Sequence, residues 1–314
     1  MIPMTCTENR GPATCSRDRY LPGFAGCLLV RMRVAKLPIS LGMTVSCLLG
    51  YVLILPEAAG PFWLTALSAQ LLTGGSASLN NLQDRHMDKE LDRTCRRPLP
   101  AGHLSPAGAG FQGWLLVLMG LAGLFFSPGS IQAAGLGLAG VVLYNGVYTP
   151  MKHRTILAIV PGALCGALPL AMGWAAAGGT RAFPHAGPLL AIMAVMGVWQ
   201  LPHFWLVLLT HAGDYRRSGR VSMLSLFDTV QLERILLVWV LLFSVMTLAA
   251  VLTVPGLTRL AGWGIAVNAM VTSTVFTLSH FLGRWRSGRV RFAVLNCSML
   301  VFMLILIGDR LALG

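Results

Sequence analysis

A chain of 314 residues with 55% hydrophobic and 11% charged side chains, and a mean hydropathy of +0.69, falls outside the soluble globular class. In a soluble protein the net charge of +13 would point to nucleic acid, but no basic patch interleaved with aromatics occurs, and no nucleic-acid partner is expected. Seven cysteines without a CxxC pair or metal-ligand spacing argue against a disulfide framework.

Taken in chain order, residues 1–35 read as a poorly ordered cytoplasmic tail rich in Pro, Arg, Thr and Ser. No apolar run there precedes a small-residue cleavage site, so no cleavable signal peptide is expected. Residues 36–314 read as one all-α domain, a polytopic membrane bundle. A span needs about 20 apolar residues. Such stretches fall at 36–55, 61–82, 108–126, 130–148, 156–177, 188–210, 233–254, 261–283 and 292–312, which predicts nine transmembrane helices. The second is expected to be interrupted at Gly74, Gly75 and Ser76.

Basic residues mark alternate loops. Of the 24 Lys and Arg, 21 fall in the first, third and later odd-numbered segments between spans, against Arg181, Arg259 and Arg310 on the other side. This alternation predicts a cytoplasmic N-terminus, an external C-terminus and a bacterial-type inner (plasma) membrane. Three loops with reactive side chains share the cytoplasmic face: 80–103, 148–155 and 203–223.

The first reads NNLQDRHMDKELDRTCRR and holds four of the eleven acidic residues. Asp84, Asp88 and Asp92 recur every four positions, so a helix would stack them on one face, with Asn80 or Asn81 one turn earlier. Like charges so spaced repel, and an oxygen-only ligand row suits a hard cation such as Mg²⁺, which shares its shell with water and phosphate. The second loop carries Lys152, His153 and Arg154. The third carries Asp214, the lone carboxylate between Asp92 and Asp228. The acidic row, Asp214 and the lysines and arginines of these loops make a diphosphate clamp, with Arg93 and Arg97 also readable as positive-inside anchors. His203, beside Trp199, Phe204 and Trp205 within a span, reads either as functional or as a satisfied structural histidine. Tyr144, Asn145 and Tyr148 also suit a membrane boundary and interhelical contacts.

The motif NNLQDRHMDKELDRTCRRPLPAG resembles the first aspartate-rich motif of the UbiA-type intramembrane prenyltransferases, N-(N/D)-x-x-D-x-x-x-D followed by R-T-x-x-R-P-L, through Asn80, Asn81, Asp84, Asp88, Arg93, Thr94, Arg97 and Pro98. YTPMKHRT, PGALCGALPLAMGW and WQLPHFW with DYRRSGRVSM are similar to the protoheme IX farnesyltransferase (haem O synthase) branch of that family. The likeness covers roughly residues 36–312. It departs where the lysine before the Asp-Tyr pair is absent (His211, Ala212 and Gly213 precede Asp214), at Ala158, at Pro169-Leu170, and at the missing Lys-Pro-Arg entry of the first span.

The resemblance implies the nine-helix UbiA prenyltransferase-like fold and Mg²⁺-dependent transfer of a farnesyl group from farnesyl diphosphate to a vinyl group of haem B, with hydration, giving haem O. It implies Mg²⁺ held through Asn81, Asp84, Asp88 and Asp214, with Lys152 joining these aspartates as a catalytic group. Asn80, Asn81, Arg93, Arg97 and Arg154 would contact the diphosphate, and His203, Tyr148 and Trp199 the acceptor. The bilayer and a downstream haem-modifying enzyme are the implied partners. The departures leave another acceptor open (a quinone precursor, a chlorophyllide or a lipid), and a transporter is the non-enzyme alternative.

Overall fold

The computed structural model describes residues 23–128, 130–179, 186–217, 222–283 and 287–313, and within them the regular structure is helical throughout, with no strand. Helix α1 (Phe24–Val34) meets α2 (Leu37–Val52) at a bend of 56°. The hinge is Lys36, at φ 49° the one non-glycine residue in the left-handed region among those described. Pro38 in the first turn of α2, with its fixed φ, suits a helix start there. Residues 1–22 of the expected tail lie outside the described residues; Phe24–Val34, also assigned to that tail, is helical.

Helix α3 (Gly60–Asp84) leads through a 3₁₀ turn at Met87–Lys89 and a folded loop to α4 (Pro106–Phe125). Ser105 caps α4 by accepting from the Gly108 N–H. The expected interruption at Gly74, Gly75 and Ser76 does not occur: α3 runs unbroken through them. The small size of Gly75 serves packing instead. A Cβ at Gly75 would sit 2.7 Å from both the Gly113 carbonyl oxygen and the Val117 nitrogen, so α3 and α4 approach backbone to backbone.

Helix α5 (Ser130–Val141) widens into a π segment (Val142–Tyr148) and ends in the short α6 (Thr149–Met151). A 3₁₀ turn capped by Thr155 starts the next span, α7 (Ile159–Ala176), followed by α8 (Gly187–Thr210) and the short α9 (Ala212–Arg217). Helix α10 (Thr229–Val251) opens with a capping box between Asp228 and Gln231, α11 (Arg259–Phe281) is capped by Thr258, and α12 (Gly288–Leu313) follows. The main apolar core joins α2, α7, α8, α10 and α12 through fully buried residues such as Leu170, Ile192, Leu206, Phe243 and Phe302.

Each of the nine predicted segments coincides with a helix, but the count of nine spans is not reached. Seven helices among the described residues are long and apolar enough to cross a membrane, and the bent α1/α2 pair makes eight. Helix α3 is absent from that set. Its 25 residues are long enough, but Ser68, Gln70, Thr73, Ser76, Ser78, Asn80 and Asn81 lower its hydropathy.

Candidate active site

The polar residues that weaken α3 as a span build the site at its end. Helix α3 stops at Asp84, and the chain turns before Asp88. The acidic row expected on one helical face is therefore broken. Asp84 and Asp88 are 4% and 6% exposed, while the Asp92 side chain is 58% exposed and points away.

Asp84 accepts from Lys152 Nζ on one oxygen and contacts His153 Nε2 at 2.9 Å with the other. Burial lowers the pKa of Lys152, and the carboxylate of Asp84 opposes that shift. Asp88 is paired with Arg97 (Nη1–Oδ2, 2.8 Å), and its carbonyl accepts from the buried Thr94 hydroxyl at 2.9 Å. The Arg93-Thr94-x-x-Arg97 segment thus folds back over Asp88. Asn80 accepts from Lys36 Nζ at 2.6 Å and donates to Thr149 Oγ1 at 2.9 Å.

These groups share a cavity of about 470 Å³ reaching from the charged end into an apolar interior between α2, α3, α5, α7 and α8. Lys36, Asn80, Asp84, Asp88, Arg93, Arg97 and Lys152 line the charged end; Tyr148, His203 and Phe204 line the interior. The π segment turns Tyr144 and Tyr148 toward this space, where their rings stack at 5.6 Å and Tyr148 continues to Phe204 at 6.2 Å. His203 Nδ1 is 3.0 Å from Asn296 Oδ1, which fixes its ring.

Other predicted site residues are not brought to the cavity. Asn81 donates to the Val34 carbonyl at 2.6 Å, away from the carboxylates. Asp214 and Asp92 are both held by Arg217, at 2.6 and 2.8 Å, in a separate shallow cleft. Arg154 is exposed and Trp199 donates to the Leu295 carbonyl at 3.1 Å; neither lines the cavity. Sequence reasoning misses Lys36 and His153 as site residues. A lysine where an apolar run begins was the available signal for the first, and adjacency to Lys152 for the second.

Among the described residues no three His, Cys, Asp or Glu side chains gather as a metal-ligand cluster. The donor set still suits Mg²⁺. This ion takes one or two carboxylates and completes its shell with phosphate oxygens and water, and Asp84 and Asp88 are two buried carboxylates on one cavity.

An all-α membrane protein with a charged-ended, apolar-bodied cavity has the form of an enzyme that works on amphipathic substrates inside the bilayer. The family model described as the UbiA prenyltransferase family matches residues 43–307. A protoheme IX farnesyltransferase of Nitratidesulfovibrio vulgaris (strain DP4) is 31% identical over 286 residues, covering 91% of this chain and 95% of the relative. One from Oleidesulfovibrio alaskensis is 32% identical over 290 residues, covering 91% and 96%. Among solved structures, a digeranylgeranylglyceryl phosphate synthase is similar with TM-score 0.68 and 12% identity over 91% of this chain and 99% of the other. A UbiA homologue from Archaeoglobus fulgidus bound to GPP and Mg²⁺ gives 0.64 and 16% over 89% and 99%. The chain belongs to the UbiA prenyltransferase family, and it is a prenyltransferase.

Proposed function

We propose that the protein transfers the farnesyl group of farnesyl diphosphate to a vinyl group of haem B, with addition of water, to give haem O and pyrophosphate. The observation that carries this reading is the two-zone cavity, with Asp84, Asp88 and a surplus of cations at one end and Tyr148, Phe204 and His203 in the apolar body. The relatives named protoheme IX farnesyltransferase support the acceptor, and the neighbour solved with GPP and Mg²⁺ supports a metal–diphosphate donor.

Asp84 and Asp88 would hold Mg²⁺, which neutralises charge on the departing pyrophosphate. Asp214 joins them once Arg217 releases it, and Asn81 serves by fixing the end of α3. Lys36, Lys152, Arg93 and Arg97 take the remaining diphosphate charge, and Lys36, Lys152 and Arg97 can each exchange a present carboxylate or amide partner for phosphate oxygen. The allylic C–O bond breaks, and the vinyl carbon attacks the freed allylic carbon. The resulting cation takes up hydroxide from water, releasing a proton. Aromatic faces at Tyr148 and Phe204 stabilise positive charge, and the apolar walls keep water away until carbon–carbon bonding is complete. His203 contacts the haem, held in orientation by Asn296.

The basic loops support a cytoplasmic active-site face and N-terminus with an external C-terminus, an orientation that requires α3 to cross despite its polar residues. Membranes containing the protein, Mg²⁺, farnesyl diphosphate and haem B should yield a haem heavier by one farnesyl group and one water. Prenylation of 4-hydroxybenzoate with haem B untouched would overturn the acceptor while leaving the family.

A further inference from the structure

Helix α8 carries into the cavity an amide that the diphosphate clamp does not use. Gln200 is 6% exposed, lies well inside a membrane-spanning helix and lines the cavity. Among the described residues its side chain makes no hydrogen bond, and neither amide atom is sealed from the cavity. An unpartnered amide at that depth is costly unless something polar meets it. One turn along the same helix, His203 presents a second open group. Asn296 Nδ2 donates to the Phe292 carbonyl at 2.5 Å, which leaves Asn296 Oδ1 to accept from His203 Nδ1 at 3.0 Å. That bond places the ring proton on Nδ1 and leaves Nε2 as a free acceptor at the cavity wall.

The glycines of α7 give the depth of this pair. Lys152 and His153 stand at the charged end just before α7, so the helix runs from that end into the interior. A Cβ at Gly162 would meet Tyr148 Cε2 at 3.0 Å and Phe204 Cζ at 3.1 Å. One turn further in, a Cβ at Gly166 would collide with Gln200 Nε2. Four residues of helix rise about 6 Å, so the amide lies about that far beyond the aromatic pair that follows the clamp.

The occupant follows from the chemistry of the proposed haem farnesylation, on which this inference rests. The farnesyl chain is hydrocarbon and offers an amide nothing. A haem propionate needs a cation, and the lysines and arginines of the cavity, Lys36, Arg93, Arg97 and Lys152, all belong to its charged end. Water is the remaining polar reactant, and a buried water is held by about two to four polar groups. The reaction consumes it at the porphyrin-side vinyl carbon, which lies two bonds further from the diphosphate site than the allylic carbon.

We propose that Gln200 and His203 hold the water that hydrates the prenylated haem. The amide oxygen of Gln200 accepts one hydrogen of this water, and Nε2 of His203 accepts the other. Once the terminal vinyl carbon has bonded to the allylic carbon and pyrophosphate has left, a lone pair of the water oxygen forms the C–O bond at the cationic vinyl carbon. The O–H bond facing His203 breaks, its electron pair stays on oxygen, and the proton passes to Nε2. Because this water sits a turn beyond the aromatic pair, it faces the vinyl carbon and not the allylic carbon, where it would hydrolyse farnesyl diphosphate.

The test is the ratio of two products in membranes containing the full-length protein, Mg²⁺, farnesyl diphosphate and haem B, read by mass spectrometry. A cation that water does not capture loses a proton from the neighbouring carbon and gives an alkene, lighter than haem O by one water. The parent should give chiefly the hydroxylated haem. Gln200→Leu should raise the ratio of alkene to hydroxylated product about tenfold, the effect of losing one hydrogen bond at a reacting group. Gly166→Ala, which displaces the amide without removing it, should raise the ratio as well, and it decides the matter if Gln200→Leu does not fold. Asp88→Asn, which acts at the clamp, should lower both products and leave their ratio alone. An unchanged ratio in Gln200→Leu, or in Gly166→Ala where the former does not fold, overturns the proposal however slow the variant. A parent that prenylates 4-hydroxybenzoate and leaves haem B untouched instead overturns the proposed function, and this inference falls with it.

Discussion

Two pairs of aspartates lie in opposite surroundings. Asp84 and Asp88 are buried beside a cavity, each matched by partners from distant or folded-back segments: Lys152 and His153 for one, Arg97 for the other. Asp92 and Asp214 lie outside it and share one exposed arginine, Arg217. Spacing by four residues treats Asp84, Asp88 and Asp92 alike. What separates them is the end of α3 at Asp84, which sends the next carboxylate inward and the one after it outward. A buried carboxylate in a low-dielectric site interacts strongly with a cation, whereas an exposed pair is screened.

The sharpest break of this comparison is removal of the inner pair. Asp84→Asn and Asp88→Asn should each lower farnesyl transfer by about 10²–10³-fold, the usual cost of deleting an electrostatic group at the reacting centre. Turnover in proteoliposomes with the circular dichroism of the purified variants separates loss of chemistry from loss of fold. Activity within a few-fold of the parent in either variant would remove the carboxylate from the donor site.

Asp214 sharpens the comparison because geometry and resemblance point different ways for it. If the loop carrying it closes on the donor site, Asp214→Ala should cost about 10²-fold, and Arg217→Ala should cost far less, since that arginine competes for the carboxylate. Equal losses in the two variants would make the Arg217 bridge itself the needed element.

The legible part of this molecule was what local pattern encodes. Apolar runs marked the positions of nine helices because lipid and core alike demand such runs, and the Asn80–Arg97 motif located the inner carboxylates. Contacts between residues far apart in sequence left no such trace. Asp84 meets His153 across 69 positions and Lys36 meets Asn80 across 44. The glycines at 74 and 75 read as a break because glycine weakens an isolated helix; in the fold Gly75 admits α4, a tertiary gain that outweighs propensity. Lys36 was hidden for a different reason, since only its left-handed backbone and the bend it makes turn a residue at a membrane boundary into the cavity.

Lys36 therefore belongs with the inner region, and Lys36→Met tests that. The substitution keeps chain length and removes one charge-assisted hydrogen bond, a contact worth about 1.5–3 kcal/mol, which corresponds to roughly tenfold to hundredfold. The loss should fall on kcat/KM for the diphosphate substrate and little on the haem, measured by varying each in turn.

The smallest effect is expected in the outer region, at Asp92. Its carboxylate meets Arg217 with the two side chains 58% and 69% exposed, and pairs so exposed contribute about 0.2–1 kcal/mol at most. Asp92→Asn should leave turnover within about fivefold of the parent, the rate factor that 1 kcal/mol represents, and added salt should erase the remaining difference because screening already weakens the pair. A loss at Asp92 as large as that at Asp84 would mean that the loop after α3 rewinds into a helix when substrate binds, restoring the four-residue row and drawing all three carboxylates to one face.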